Sequence, residues 1–372
     1  MLPTIGTATQ GNIALLNFGG SGMMRANKIR YIKDNTVPRI GFFTRLLDEG
    51  TAAQRYGWAL EQIQQAERAG FATAWIAQHH FNADEGGLPS PWPFLGAAAQ
   101  ATERIRLGTA VVTLPHENAV RTAEDAAVVD VLSGGRFEFG IAPGASAENL
   151  DALGYTNTNA RELFNEKLPV LRAALAGKPL GDAGMVLQPL AEGLNERMWQ
   201  ATFSTNGATR AGQAGDGLML SRIQPGSEVG ELVGDLQMPL IEAYRAELAD
   251  DVAPRILASR TAVVIDEENR AAALQHLRTR VAHLAERNLR SNGEPISAAD
   301  LSDDELLRYT GTYFGTADEV AEQLAEDQAA AASTEVSFQV HSLDPGHAIT
   351  MRSIELLGSR VAPALGWTVE SS

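Results

Sequence analysis

The chain has 372 residues, 44% of them hydrophobic and 20% charged, and 30 Lys plus Arg stand against 46 Asp plus Glu for a net charge of −16. That acidic excess argues against nucleic-acid phosphates or anionic lipid as partners, because both call for a surplus of Lys and Arg. No cysteine is present, which excludes disulfides, thiolate metal sites, Fe–S clusters and a cysteine nucleophile. No apolar run approaches the roughly 20 residues that span a bilayer. Met1 to Gln10 has neither a basic nor an apolar leader segment, so a cytoplasmic protein without a signal peptide is expected.

Taken in chain order, Gly19, Gly20 and Gly22 interrupt any regular element near the start. Residues 1–37 read as an N-terminal extension and 38–372 as the folded domain. From Pro38 onward short apolar runs alternate with stretches of helical period. Strands are expected at Arg39–Thr44, Ala72–Ala77, Ile105–Thr113 and Arg136–Ala142. Helices are expected between and after them, at Thr51–Gly70, Ser90–Thr102, Glu117–Leu132 and Asn159–Ala176. The second half continues with strands Met198–Phe203, Gly217–Ser221, Ile256–Ile265 and Glu335–His341. Its helices fall at Ala208–Ala214, Met238–Ala249, around Leu274–Leu284, at Thr316–Ala330 and at Gly346–Arg360. Thr316 followed by Glu319 is a capping box, in which hydroxyl and carboxylate satisfy each other's free backbone N–H groups.

Eight strands, apolar on both faces and alternating with helices, predict an α/β fold: a (β/α)8 TIM barrel with insertions. The competing open doubly wound sheet lacks a GxGxxG turn after the first strand.

In a parallel barrel, chemistry gathers at the C-terminal ends of the strands. Gln78-His79-His80-Phe81 ends strand two and Thr113-Leu114-Pro115-His116 ends strand three. Adjacent His79 and His80 point apart in extended backbone, and no HExxH spacing occurs, so no metal site is expected. The nearest approach to a GxSxG elbow, Gly20-Ser21-Gly22, lies in the extension, and no Walker loop is present. Ser204-Thr205-Asn206-Gly207 opens a helix directly after strand five. It reads either as an ordinary helix cap or as a phosphate seat built from free backbone N–H groups and two hydroxyls.

Several of these runs resemble one family, the bacterial luciferase-like flavin monooxygenases. They are Ala74-Trp75-Ile76-Ala77-Gln78-His79-His80-Phe81, then Leu107-Gly108-Thr109-Ala110-Val111-Val112-Thr113-Leu114-Pro115, then Asp130-Val131-Leu132-Ser133-Gly134-Gly135-Arg136-Phe137. Gly315-Thr316-Ala317-Asp318-Glu319 is similar to the family's late-helix signature, and the likeness runs from Pro38 to Val361. It implies a barrel, usually dimeric, with FMN or the deazaflavin F420 at the C-terminal mouth. It further implies reduced FMN supplied by a separate NAD(P)H:flavin reductase, and O2 as co-substrate.

Residue by residue, the resemblance puts His79 beside the flavin in an acid–base role and Ala110-Val111 at the bulge under the ring, where some members have a non-prolyl cis peptide. It makes Arg161 and Ser204 phosphate ligands, with Thr205 and Asn206 as further donors. Pro143 stands where light-emitting members have an arginine, Gln78 replaces the usual glutamate, and Ala142 stands in place of a reactive cysteine. The expectation is therefore an FMN-dependent monooxygenase on a small, apolar organic substrate. An F420-dependent oxidoreductase and a non-catalytic flavin-binding protein are the alternatives.

Overall fold

In a computed structural model the chain divides into two units, Met1–Thr36 and Val37–Ser372. The structure describes residues 37–144, 146–340 and 343–370. The expected extension therefore lies outside the described residues, apart from Val37, and so do His341 and Ser342 at the end of the expected eighth strand.

Eight parallel strands form the barrel: β1 Arg39–Thr44, β2 Thr73–Ile76, β3 Arg106–Thr109, β4 Phe137–Ala142, β5 Met198–Ala201, β6 Gly217–Leu220, β7 Ile256–Val264 and β8 Glu335–Gln339. Each pairs with its sequence neighbour, β8 pairs with β1, and the ring is closed. The helical side of the strands carries Ile40, Phe42, Ala74, Ile76, Phe137, Phe139, Val336 and Phe338, all buried in the main apolar core.

The inner side is assembled from two tryptophans and the glycines that make room for them. A Cβ on Gly108 would lie 2.3 Å from Trp75, and one on Gly217 would lie 2.2 Å from Trp199. The two indoles meet edge to face at 5.5 Å. Each indole N–H donates to a buried carboxylate, Trp75 to Glu335 at 2.5 Å and Trp199 to Glu138 at 2.7 Å. Arg39 pairs with Glu335 at 2.8 Å and Arg106 with Glu138 at 2.5 Å. Burial pushes the Glu335 carboxyl up, and Arg39 pulls it back. Buried carboxylates persist only when their oxygens are met by donors in this way.

The structure departs from the sequence reading in several places. The expected strand Ile105–Thr113 breaks after Thr109 and resumes at Val112–Thr113. Thr312–Gly315, not anticipated as a strand, pairs with the second half of β7, from Thr312 opposite Thr261 to Gly315 opposite Val264. Four residues carry too little pattern to announce a strand.

The expected helix Thr316–Ala330 is two helices, Ala317–Ala325 and Gln328–Ala331, because Asp327 turns its side chain back to accept from Ala330 N. That carboxylate also takes two bonds from buried Arg260, at 2.5 and 3.1 Å, and one from Tyr313 at 2.5 Å, locking the extra strand to β7. The Leu274–Leu284 helix is likewise divided, into Arg270–Leu274 and Leu277–Asn288.

Candidate active site

The strand-three break places a bulge at the barrel mouth. Gly108 pairs with Glu138 and Val112 with Ile141. Four steps on one strand thus match three on the other, so one residue is inserted, and Ala110–Val111 sits there as a cis peptide. The Thr109 hydroxyl replaces the interrupted ladder. It donates to Gly140 O at 2.8 Å and accepts from Gly140 N at 3.0 Å. Ala110 and Val111 are half-buried and pack with Phe43, Ala201 and Met219 around the two tryptophans, giving an apolar wall on the inner face.

His79 follows β2 and is partly buried. Its backbone N–H donates to Leu88 O at 2.9 Å, and Nδ1 lies 4.0 Å from Glu85 Oε2. Burial, reinforced by Arg45 and Arg222, lowers its pKa to about 4, so it is a neutral imidazole at pH 7. His80 points to a different neighbourhood, as adjacent residues in extended backbone do. It meets His116 edge to face at 5.0 Å. Burial, then His80 and Lys167, lower His116 to about 4 as well.

Gln78 accounts for the departure from a glutamate. Its amide donates to Glu117 Oε1 at 2.6 Å and to Pro89 O at 3.2 Å, while its carbonyl accepts from Thr113 N at 2.9 Å. A carboxylate in its place would face another carboxylate.

The seat after β5 is a helix N-terminus. The helix Thr205–Gln213 has Ser204 as its cap, the hydroxyl accepting from Gly207 N at 3.2 Å. The helix thus starts three residues before the expected Ala208. Ser204, Thr205 and Asn206 are exposed, and the Ser204 N–H donates to Thr202 Oγ1 at 3.1 Å. Arg161, exposed at the start of the helix Ala160–Leu175, acts on Arg210. Arg210 is held by Gln200 Oε1 at 2.8 Å and by the Phe164 ring at 5.1 Å, and its buried Nη2 has no partner. Burial and then Arg161 lower its pKa.

Two cations and a helix N-terminus at one corner suit a phosphate, and an orphaned guanidinium N–H fits that ligand. Sequence reasoning missed Arg210. Its i,i+4 spacing from Asn206, which puts the two on one side of the helix, was the available signal. Among the described residues no cluster of three or more His, Asp or Glu is placed to hold a metal ion. None of their helices is long and apolar enough to cross a membrane.

The site thus joins a closed parallel barrel with a bulged third strand, a histidine after the second and a capped helix N-terminus after the fifth. Residues 40–334 match the family model described as luciferase-like monooxygenase, and the chain belongs to that family of flavin-dependent monooxygenases. It is 28% identical over 240 residues to the oxygenase component of flavin-dependent trigonelline monooxygenase from Acinetobacter baylyi, covering 61% of this chain and 64% of that one. Its fold is that of the oxygenating constituent of 3,6-diketocamphane monooxygenase from Pseudomonas putida in complex with FMN. The TM-score there is 0.72 at 18% identity, over 90% of this chain and 100% of that one. An F420-dependent secondary alcohol dehydrogenase shares the fold at a TM-score of 0.63 and 17% identity, over 88% and 99% of the chains.

Proposed function

We propose that this chain is the oxygenase component of a two-component FMN-dependent monooxygenase, fed with reduced FMN by a separate NAD(P)H:flavin reductase. The observation that carries the reading is the pairing of a cationic corner at a helix N-terminus with a flat apolar wall on the same mouth. Ser204, Thr205, Asn206, Arg161 and Arg210 would hold the phosphate. Ala110 and Val111 would lie against the ring, two strand spacings away, about 10 Å, a gap that a five-carbon ribityl chain bridges.

FMN, when bound and reduced, supplies the electron pair with which one atom of O2 enters the substrate and the other leaves as water. The protein's part is to position and to dry the site. Phe43, Ala110, Val111 and Ala201 exclude water from the inner wall. Neutral His79 holds one ring proton and one free lone pair at neutral pH, so it orients a neighbouring oxygen by donating or accepting without bringing a charge. The proposed setting is a cytoplasmic homodimer. Val128, Val131 and Leu132, exposed on one stretch of the helix Ala119–Leu132, offer apolar surface for a second copy.

The test is an anaerobic titration of the full chain with photoreduced FMN, followed by addition of O2, with F420 titrated in parallel. Micromolar binding of reduced FMN and faster O2 uptake than by free flavin are expected. Tighter F420 binding without O2 uptake moves the reading to an F420 oxidoreductase. Tight oxidised-FMN binding without turnover makes the protein a flavin carrier. His79→Ala should slow O2 uptake at unchanged FMN affinity, and an unchanged rate removes His79 from the chemistry.

A further inference from the structure

The mouth holds more positive charge than the flavin reading uses. Arg222, two residues past β6, is only 6% exposed, its Nη1 is buried without a partner, and no carboxylate bonds it. Arg45 follows β1. Among the described residues its only side-chain hydrogen bond runs from Nη1 to Glu85 O at 3.1 Å, and its Nε is buried and unsatisfied.

The two guanidinium groups repel each other, and both act on His79. Around them, Arg287 pairs with Glu85 at 2.5 Å and Arg280 with Asp344 at 3.1 Å. Among the described residues four arginines thus meet two carboxylates, both paired with the outer arginines, Glu85 also acting on Arg45. Burial and Arg287 lower Arg222 to about 10, and burial and Arg222 lower Arg45 well below its usual range. A buried, unpaired guanidinium is costly; Glu85 offsets part of that cost at Arg45, and among the described residues no carboxylate does so at Arg222.

We infer that Arg222 and Arg45 form an anion subsite at the barrel mouth that binds a carboxylate carried by the organic substrate. The inference rests on the monooxygenase reading and sharpens it. The substrate has an apolar body for the Phe43–Val111 wall and a negatively charged end beside His79. The flavin phosphate is assigned elsewhere, to the corner at Ser204 and Arg210. Arg45 and Arg222 lie after β1 and β6, on the strands flanking β7 and β8, while the bulge is on β3 and the phosphate corner follows β5. A planar carboxylate is the natural complement of an Arg fork, since two parallel N–H donors match its two oxygens.

The test uses benzoate and its neutral isostere benzamide as probes, titrated calorimetrically into the full-length protein with and without FMN. Acetate and hexanoate serve as smaller and longer carboxylates. At least one carboxylate is expected to bind ten or more times more tightly than benzamide. Arg222→Gln and Arg45→Gln should each reduce that binding at least tenfold while leaving FMN affinity unchanged. The bound carboxylate should also raise the pKa of His79 from about 4, read from its imidazole proton resonances, because an anion offsets the two guanidinium charges.

Arg222→Met should unfold at the same or a higher temperature than the parent, since it removes an unpaired buried charge. Failure of every carboxylate to bind more tightly than benzamide, absence of any Arg222-dependent carboxylate binding, or a marked loss of thermal stability in Arg222→Met would overturn the proposal. A loss of FMN affinity in Arg222→Gln would overturn it too, by making the anion the cofactor's phosphate. Arg222-dependent benzoate binding in a protein that ignores FMN would keep the subsite and sink the flavin reading instead.

Discussion

Gln78→Glu puts a carboxylate where the structure has an amide nitrogen 2.6 Å from Glu117 Oε1. Two donor bonds disappear, to Glu117 and to Pro89 O, while the acceptor bond from Thr113 N survives. A hydrogen bond to a charged group is worth about 1.5–3 kcal/mol and a neutral one about 1 kcal/mol. Two unit charges about 3 Å apart repel by roughly 5 kcal/mol at an effective dielectric constant of about 20. That is an upper bound, because Glu117 is partly exposed and the carboxylate pair relieves itself by taking up a proton.

The sign follows from linkage. The introduced carboxyl binds its proton more tightly in the folded than in the unfolded chain, so the folded variant keeps its stability at low pH. It loses that stability as pH rises above the unfolded value of about 4.3. Urea denaturation of parent and variant at pH 5 and pH 8 should give a stability loss about 2–3 kcal/mol larger at pH 8. Gln78→Met, which removes the bonds without adding charge, should lose about 2–4 kcal/mol equally at both pH values. A pH difference under about 0.5 kcal/mol for Gln78→Glu would refute the contact and, with it, the account of why glutamate is absent here.

Arg210→Gln should weaken FMN at least tenfold while sparing riboflavin, which lacks the phosphate, and Arg161→Ala should cost about 1.5–3 kcal/mol of the same binding; fluorescence titration with both flavins checks each. Gly217→Ala and Gly108→Ala drive a methyl into Trp199 and Trp75 and should each cost about 1–3 kcal/mol of stability by overpacking, measured by thermal unfolding. Asp327→Asn leaves Arg260 buried without a counter-charge and should cost about 3–5 kcal/mol at pH 7. Arg260 and the other donors hold Asp327 at about 2 against burial. The stability it confers is therefore full above about pH 4 and drains away as pH falls toward 2, so the gap between parent and variant should close over that window in acid denaturation. His79, lowered to about 4 by burial and its arginines, should show no titration between pH 5.5 and 8 in its imidazole resonances.

What the sequence by itself determined is what depends on short-range pattern. The apolar runs at Arg39–Thr44 and Arg136–Ala142 became β1 and β4, since an inner strand buried on both faces has no polar residue to disguise it. Ser204 was legible as a cap because capping is a contact within one turn. The Ala110–Val111 bulge came from the likeness to a known family, as no local rule announces an extra residue.

Tertiary structure decided the rest, because it turns on which distant groups meet. The four-residue strand Thr312–Gly315 exists because β7 runs on past β6 and offers it an edge. The split at Asp327 exists because Arg260, 67 residues away, needs a carboxylate. Arg45 and Arg222 are unremarkable letters 177 positions apart. Only closure of the ring from β1 through β6 brings their charges together, and burial then makes that meeting costly enough to point to a ligand.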